Sequence, residues 1–221
     1  LINFNSDETS INGELIKNRS AVELKVKRIL DLRDFKGDPY ESLVTKDFNE
    51  ILNDEEISLV VETMGGTTPA YEFVKSVVTS NKALVADYGP ELLEIAKEKQ
   101  INFLFEASVG GGIPILRSLN SALSADDILK ITGILNGTTN YMMTKMFYEG
   151  ADYDEVLKEA QKNGFAEANP EADVEGYDAC RKISILTSII SGKQVDFKEV
   201  YCEGITKITS KDMKYAKKLG A

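Results

Sequence analysis

Histidine is absent from the 221 residues. That absence excludes Ser-His-Asp and Cys-His nucleophilic chemistry, and any zinc centre built on imidazole. Acid–base work must then fall to Lys, Asp, Glu, Tyr or water. Cysteine is scarce: Cys180 and Cys202 have neither metal-ligand spacing nor the number for a disulfide framework. They read as thiols in a reducing cytoplasm. No apolar run approaches a membrane span and the first residues carry no signal pattern, so no membrane partner is expected. A basic face is missing too. With 26 Lys and Arg against 36 Asp and Glu, the net charge is −10 and the charges are interspersed, which argues against nucleic acid. Nor is there a G-x-G-x-x-G turn to cradle a pyrophosphate, and Gly65-Gly66 is no substitute.

What is there reads as alternating strands and helices. Val22 to Leu32 reads as a strand, Phe48 to Asn53 as a short helix, and Ile57 to Val61 as a buried parallel strand. A loop over 62–68 follows, then a helix starting at Pro69. Val77 to Thr79 is the next strand, Pro90 to Lys99 the next helix and Ile101 to Phe105 a further strand. No turn separates the helix ending near Lys75 from the strand at Val77, although such links usually take two to six residues. The sequence therefore reads as lacking residues near 75–77. Units of this kind predict a parallel α/β sheet, with ligands at the C-terminal ends of its strands. In the second half, Asp127 to Leu135 and Glu199 to Ile208 read as strands. Tyr141 to Tyr148, Tyr153 to Lys162 and 178–190 read as helices. Ser210 reads as the cap of a last helix, and the domain boundary falls near the glycines at 106–112.

Three loops carry polar groups where a ligand could sit. EASVGGGIP, 106–114, follows an apolar strand; its glycines allow carbonyls to turn toward a hard cation, with Glu106 supplying charge. The same run also fits a plain bulge or tight turn. NGTTNY, 136–141, offers hydroxyls and an amide, or simply a helix cap at Thr139 or Asn140. Lys82, in TSNK, could hold a carboxylate or phosphate, or be an exposed loop lysine.

The most informative stretch is FAEANPEADVEGYDACRKISILTSII, 165–190. The acids Glu167, Asp173, Glu175 and Asp178 lead into an apolar helix with one lysine, Lys182. Asp178 and Lys182 stand four apart and share a face. A helix apolar nearly all round is a buried one, and buried lysines are paired. The spacing equally suits an exposed ion pair, which would carry no chemistry.

Taken in order, ETMGG, TSNKALVA, FEASVGGGIPI, GILNGTTNY and GFAEANPEADVEGYDACRK resemble homoserine dehydrogenase. The resemblance runs over residues 57–221. It implies an incomplete Rossmann-like parallel-sheet domain over 1–105, and an α+β catalytic and dimerisation domain with a mixed sheet over 106–221. It implies hydride transfer between L-homoserine and L-aspartate 4-semialdehyde with NAD or NADP, on the route to threonine and methionine. Lys182 is similar to the family's catalytic lysine, with Asp178 beside it, and Asp178 and Glu167 to its substrate-binding acids. Lys82, Gly164 and, less clearly aligned, Arg33 fall where the family meets its cofactor. Glu106, with the carbonyls of Val109, Gly111 and Ile113, resembles a sodium site. A homodimer is implied, built on the sheet of residues 127–208. The family's glycine loop is not in this sequence, so the stretch given is not expected to bind dinucleotide normally. A non-catalytic regulatory homologue of the same fold would lack the Lys182–Asp178 pair. Aspartate-semialdehyde dehydrogenase would need the missing histidine.

Overall fold

The computed structural model describes residues 14–19, 23–64 and 76–220. The helix expected from Pro69, most of the loop over 62–68 and residue 75 of the suspected break lie outside these residues. The chain falls into two compact units, Leu1–Thr79 with Leu92–Leu104, and Ser80–Glu91 with Phe105–Ala221. The class is α/β, with parallel strands.

All five described strands belong to the first unit. β1 (Ile29–Leu30) pairs in parallel with β2 (Val44–Thr45). The reading of 22–32 as one long strand is corrected: residues 23–28 carry no ladder. A four-residue helix, α1 (Asn49–Leu52), buries Ile51. β3 (Leu59–Glu62), β4 (Ser76–Thr79) and β5 (Phe103–Leu104) form a second parallel sheet in the order β3-β4-β5. The register sets Glu62 opposite Thr79 and Val77 opposite Phe103. The central strand buries Val77 and Thr79, as a strand flanked on both sides should. At the sheet's C-terminal edge the Thr79 hydroxyl donates to Glu62 Oε2 at 2.5 Å. The other Glu62 oxygen takes the Met64 N–H at 2.6 Å, so a buried carboxylate is satisfied locally.

The helix expected from Pro90 begins eight residues earlier. α2 spans Lys82–Glu98 and runs through Pro90. Asn81 sets the start, because its side-chain oxygen accepts the Leu84 N–H at 3.1 Å. Lys82 is therefore the first residue of a helix, not part of a loop.

The second unit is helical. After α3 (Ala107–Gly110) and α4 (Ile115–Arg117) come α5 (Gly137–Glu149), α6 (Tyr153–Lys162), α7 (Glu171–Val174), α8 (Tyr177–Ser191) and α9 (Ser210–Leu219). Its core gathers Met142 and Met146 from α5, Val156 and Ala160 from α6, Val174 from α7 and Met213 from α9. On α5 and α6 they recur at four-residue spacing, the stripe an amphipathic helix presents to its neighbours. Two caps sit one to four residues before the expected ones. α9 is capped by Thr209, not Ser210, in a reciprocal box with Asp212. α5 is capped by Asn136, not Thr139 or Asn140.

The expected strands 127–135 and 199–208 carry no ladder, and no mixed sheet occurs among the described residues. Over 199–204 the alternation survives: Val200, Cys202 and Gly204 face inward while Tyr201 and Glu203 are exposed. The pattern of a strand is present without a partner to bond to. α8 is also less enclosed than its composition suggests. Asp178, Cys180, Ser184, Ile185 and Leu186 are buried, but Ile183, Ile189 and Ile190 are only partly covered. No described helix is long and apolar enough to cross a membrane.

Candidate active site

Asp178 is the centre of a charged cluster within the second unit. It lies on the first turn of α8, where helix N–H groups favour an anion. Lys182, one turn on, reaches back so that its Nζ is 2.7 Å from Asp178 Oδ2. From the first residue of α2, Lys82 Nζ stands 2.6 Å from Asp178 Oδ1. The exposed ion pair is excluded by burial: the Asp178 side chain is 6% exposed and that of Lys182 14%. Burial pushes the Asp178 carboxyl up. Hydrogen bonds from Lys182, Lys82 and Asn136, with the Lys182 charge, outweigh it and hold the carboxyl below its ordinary value.

The segment between α4 and α5 holds both partners of the main pair. Lys182 Nζ donates to the carbonyl of Leu135 at 2.8 Å. The next residue, Asn136, donates from Nδ2 to Asp178 Oδ2 at 3.0 Å and to Asp173 Oδ1 at 2.7 Å. The Thr138 hydroxyl stands 2.7 Å from the Phe165 carbonyl and 3.1 Å from the other Asp173 oxygen, and its single hydrogen is shared between these two acceptors. Two ammoniums and two carboxylates thus meet around one buried amide. An ammonium carries three donors. Lys182 has two in use, toward Asp178 and Leu135, leaving one for a reacting oxygen.

The other sequence-selected residues are spread more widely. Glu167 is exposed on the loop after α6. Among the described residues its carboxylate makes no hydrogen bond; only its carbonyl accepts, from Gln161 Nε2 at 3.1 Å. Gly164 follows α6 with φ +75°, and a Cβ there would meet nothing within 4 Å. Arg33 belongs to the first unit and is held bidentately by Asp31, with Nε to Oδ1 at 3.0 Å and Nη2 to Oδ2 at 2.6 Å. Glu106 caps α4 from ten residues upstream, its two oxygens accepting the Leu116 and Arg117 N–H groups at 2.8 Å each. Each oxygen keeps a further lone pair. Gly111, at φ +59° and ψ −114°, has a backbone that a residue with a Cβ rarely adopts. The Ile113 carbonyl accepts the Ile115 N–H at 2.9 Å. One carboxylate with main-chain oxygens is a donor set suited to a hard cation. Among the described residues no cluster of three or more Cys, Asp or Glu could hold a metal by side chains alone.

Sequence reading passed over Asn136 and Asp173 as site members. In the sequence Asp173 is one acid among several in that stretch. The signal for Asn136 was a good capping residue three before Thr139, in a stretch already marked as polar.

Comparison with known proteins points to one family. Residues 114–221 match the family model for homoserine dehydrogenase. The homoserine dehydrogenase of Synechocystis sp. is 48% identical over 185 residues, covering 80% of this chain and 43% of that protein. The crystal structure of a homoserine dehydrogenase from Thiobacillus denitrificans superposes with a TM-score of 0.87 at 40% identity, over 97% of this chain and 52% of that one. A hyperthermophilic archaeal homoserine dehydrogenase in complex with NADPH gives 0.74 at 27% identity, over 89% and 70%. The chain spans about half the length of the curated relatives it matches.

Proposed function

The chain belongs to the homoserine dehydrogenase family, and on that premise we propose that it carries the acid–base centre for interconverting L-homoserine and L-aspartate 4-semialdehyde. The carrying observation is the buried Lys182–Asp178 pair, in the stretch where the family resemblance is most specific, with the half-exposed Lys82 on its other carboxylate oxygen. In the reducing direction, hydride reaches the aldehyde carbon and negative charge grows on oxygen. Lys182 gives that oxygen a proton from its remaining N–H, and its charge stabilises the oxygen beforehand. Asp178 holds the ammonium in place through its 2.7 Å ion pair. Glu167, an exposed carboxylate, offers an ion match to the α-ammonium of the substrate, which orients it. In the oxidising direction the same lysine takes the hydroxyl proton.

A nicotinamide cofactor, when bound, supplies or accepts the hydride. Lys82 and Gly164 are the residues of this unit that would meet it; Arg33, which the resemblance also offers for cofactor contact, belongs to the first unit and is held there by Asp31. The archaeal relative in complex with NADPH supports an NADP-type cofactor, with NAD the second choice. A sodium ion held by Glu106 and the carbonyls of Val109, Gly111 and Ile113 would order the start of the second unit. The assembly proposed is a homodimer in the cytoplasm, supplying threonine and methionine synthesis.

The test is spectroscopic. The full-length protein with homoserine and oxidised cofactor should show growth of reduced-cofactor absorbance. Lys182→Ala should lower turnover on the order of 10² to 10⁴-fold, with unchanged circular dichroism and cofactor affinity. Turnover close to wild type in that variant would remove Lys182 from the mechanism.

A further inference from the structure

We infer that Asn136 is a positioning residue of this centre: one carboxamide holds Asp178 and Asp173 at fixed places and thereby aims the Lys182 ammonium. The inference rests on the acid–base role proposed above for Lys182. Its observation is the complete use of a buried side chain. Asn136 is 8% exposed, and every polar capacity of its amide is engaged. The two Nδ2 hydrogens go to Asp178 Oδ2 and Asp173 Oδ1. Oδ1 accepts the Thr139 N–H at 2.8 Å and the Thr139 hydroxyl at 3.0 Å. The main-chain N–H can only donate, so the amide cannot be flipped without losing three of these bonds.

Three consequences follow. A neutral group that donates to both acids separates two carboxylates that would otherwise repel. It also selects which oxygen of Asp178 takes Lys182, because Oδ2 receives both Asn136 and Lys182 while Oδ1 is left to Lys82. Finally, Leu135 and Asn136 are consecutive, so one segment grips both members of the ion pair, the ammonium by a carbonyl and the carboxylate by an amide. Asn136 is at once the cap of α5, which ties that segment to a thirteen-residue helix. The lysine is thus referenced to a packed element, and displacement of a reacting group by about 1 Å can cost on the order of 10²-fold in rate.

Capping and positioning can be separated by substitution. Serine caps a helix about as well as asparagine but cannot bridge two carboxylates. Aspartate also caps, and places a third carboxylate beside Asp173 and Asp178, facing Lys82 and Lys182. Both variants are made in the full-length protein. Turnover is measured against pH, melting temperature by calorimetry, and the Asp178 carboxyl titration by carbon NMR. Asn136→Ser should keep the melting temperature within a few degrees, lower kcat on the order of 10- to 100-fold, and move the Asp178 titration upward. Asn136→Asp should move that titration and the acid limb of kcat further in the same direction. The inference is overturned if Asn136→Ser keeps kcat within about twofold. It is equally overturned if kcat falls while the Asp178 titration stays put and the fold loosens, the mark of a purely structural cap. A wild-type protein without turnover would sink the homoserine reading instead; the carboxyl titration would still decide whether Asn136 holds Asp178.

Discussion

At the scale of single residues, Asp178 decides the character of the centre. It is a buried acid made tolerable by two ammoniums and an amide, and removing such a partner leaves charge uncompensated. The sign of its pH dependence follows from its lowered folded-state pKa. Its stabilisation is fully present above the unfolded carboxyl value, about 3.9, and is lost as pH falls through the lower folded value. Asp178→Asn should therefore lower stability at pH 7 by about 1–3 kcal/mol. Lys82 adds little to this because its side chain is 40% exposed and water screens it. Urea unfolding of variant and wild type should converge as the pH is taken below about 4. A gap that stays constant between pH 7 and pH 3 would mean that the carboxylate charge is not what stabilises the fold.

At the scale of elements, the junction between α7 and α8 brings Asp173 and Asp178 together, and the loop over 200–205 clamps it. Ile205 donates its N–H to the Val174 carbonyl at 2.7 Å. Gly204 lies so close that a Cβ there would stand 2.5 Å from the Val174 carbonyl oxygen and 2.7 Å from Glu175 Cα. Backbone on that side cannot yield as a side-chain end could. Gly204→Ala should push the loop away, break the Ile205 bond and cost about 1–3 kcal/mol, as overpacking usually does. The melting temperature should fall, and hydrogen exchange should quicken at Val174, Glu175 and Ile205. Unchanged exchange at those amides would show that the loop does not brace the acids.

At the scale of the molecule, the described residues leave several large apolar side chains exposed. Leu129 is 95% exposed, Ile134 76% and Tyr201 84%. All three lie on segments with strand-like sequence but no ladder among the described residues. Unpaired backbone and exposed side chains can be covered by another copy, and homo-oligomers most commonly assemble across a two-fold axis. For the proposed homodimer, sedimentation of the full-length protein should give a dimer at micromolar concentration. Leu129→Lys combined with Tyr201→Lys should shift it toward monomer without unfolding it. A wild-type monomer at that concentration would defeat the assembly.

The sequence alone determined what periodicity and composition can encode. The parallel strands near 59–62, 76–79 and 103–104, the helix Tyr153–Lys162 with its terminal Gly164, and the closeness of Asp178 to Lys182 are all local in the chain. Each follows from alternation, helical spacing or a stop signal within a few residues. Helix starts were misread where two capping signals competed, as at Asn81 against Pro90 and Asn136 against Thr139. The tertiary structure decided everything that joins distant positions. Lys82 reaches Asp178 across 96 positions of sequence, and Asn136 bridges acids 37 and 42 residues away. No pattern in the chain specifies those meetings, because they depend on where packed helices place their ends. The strands expected at 127–135 and 199–208 mark the same boundary from the other side. Alternation records which face a residue prefers, but a ladder exists only where a second backbone comes within hydrogen-bonding distance.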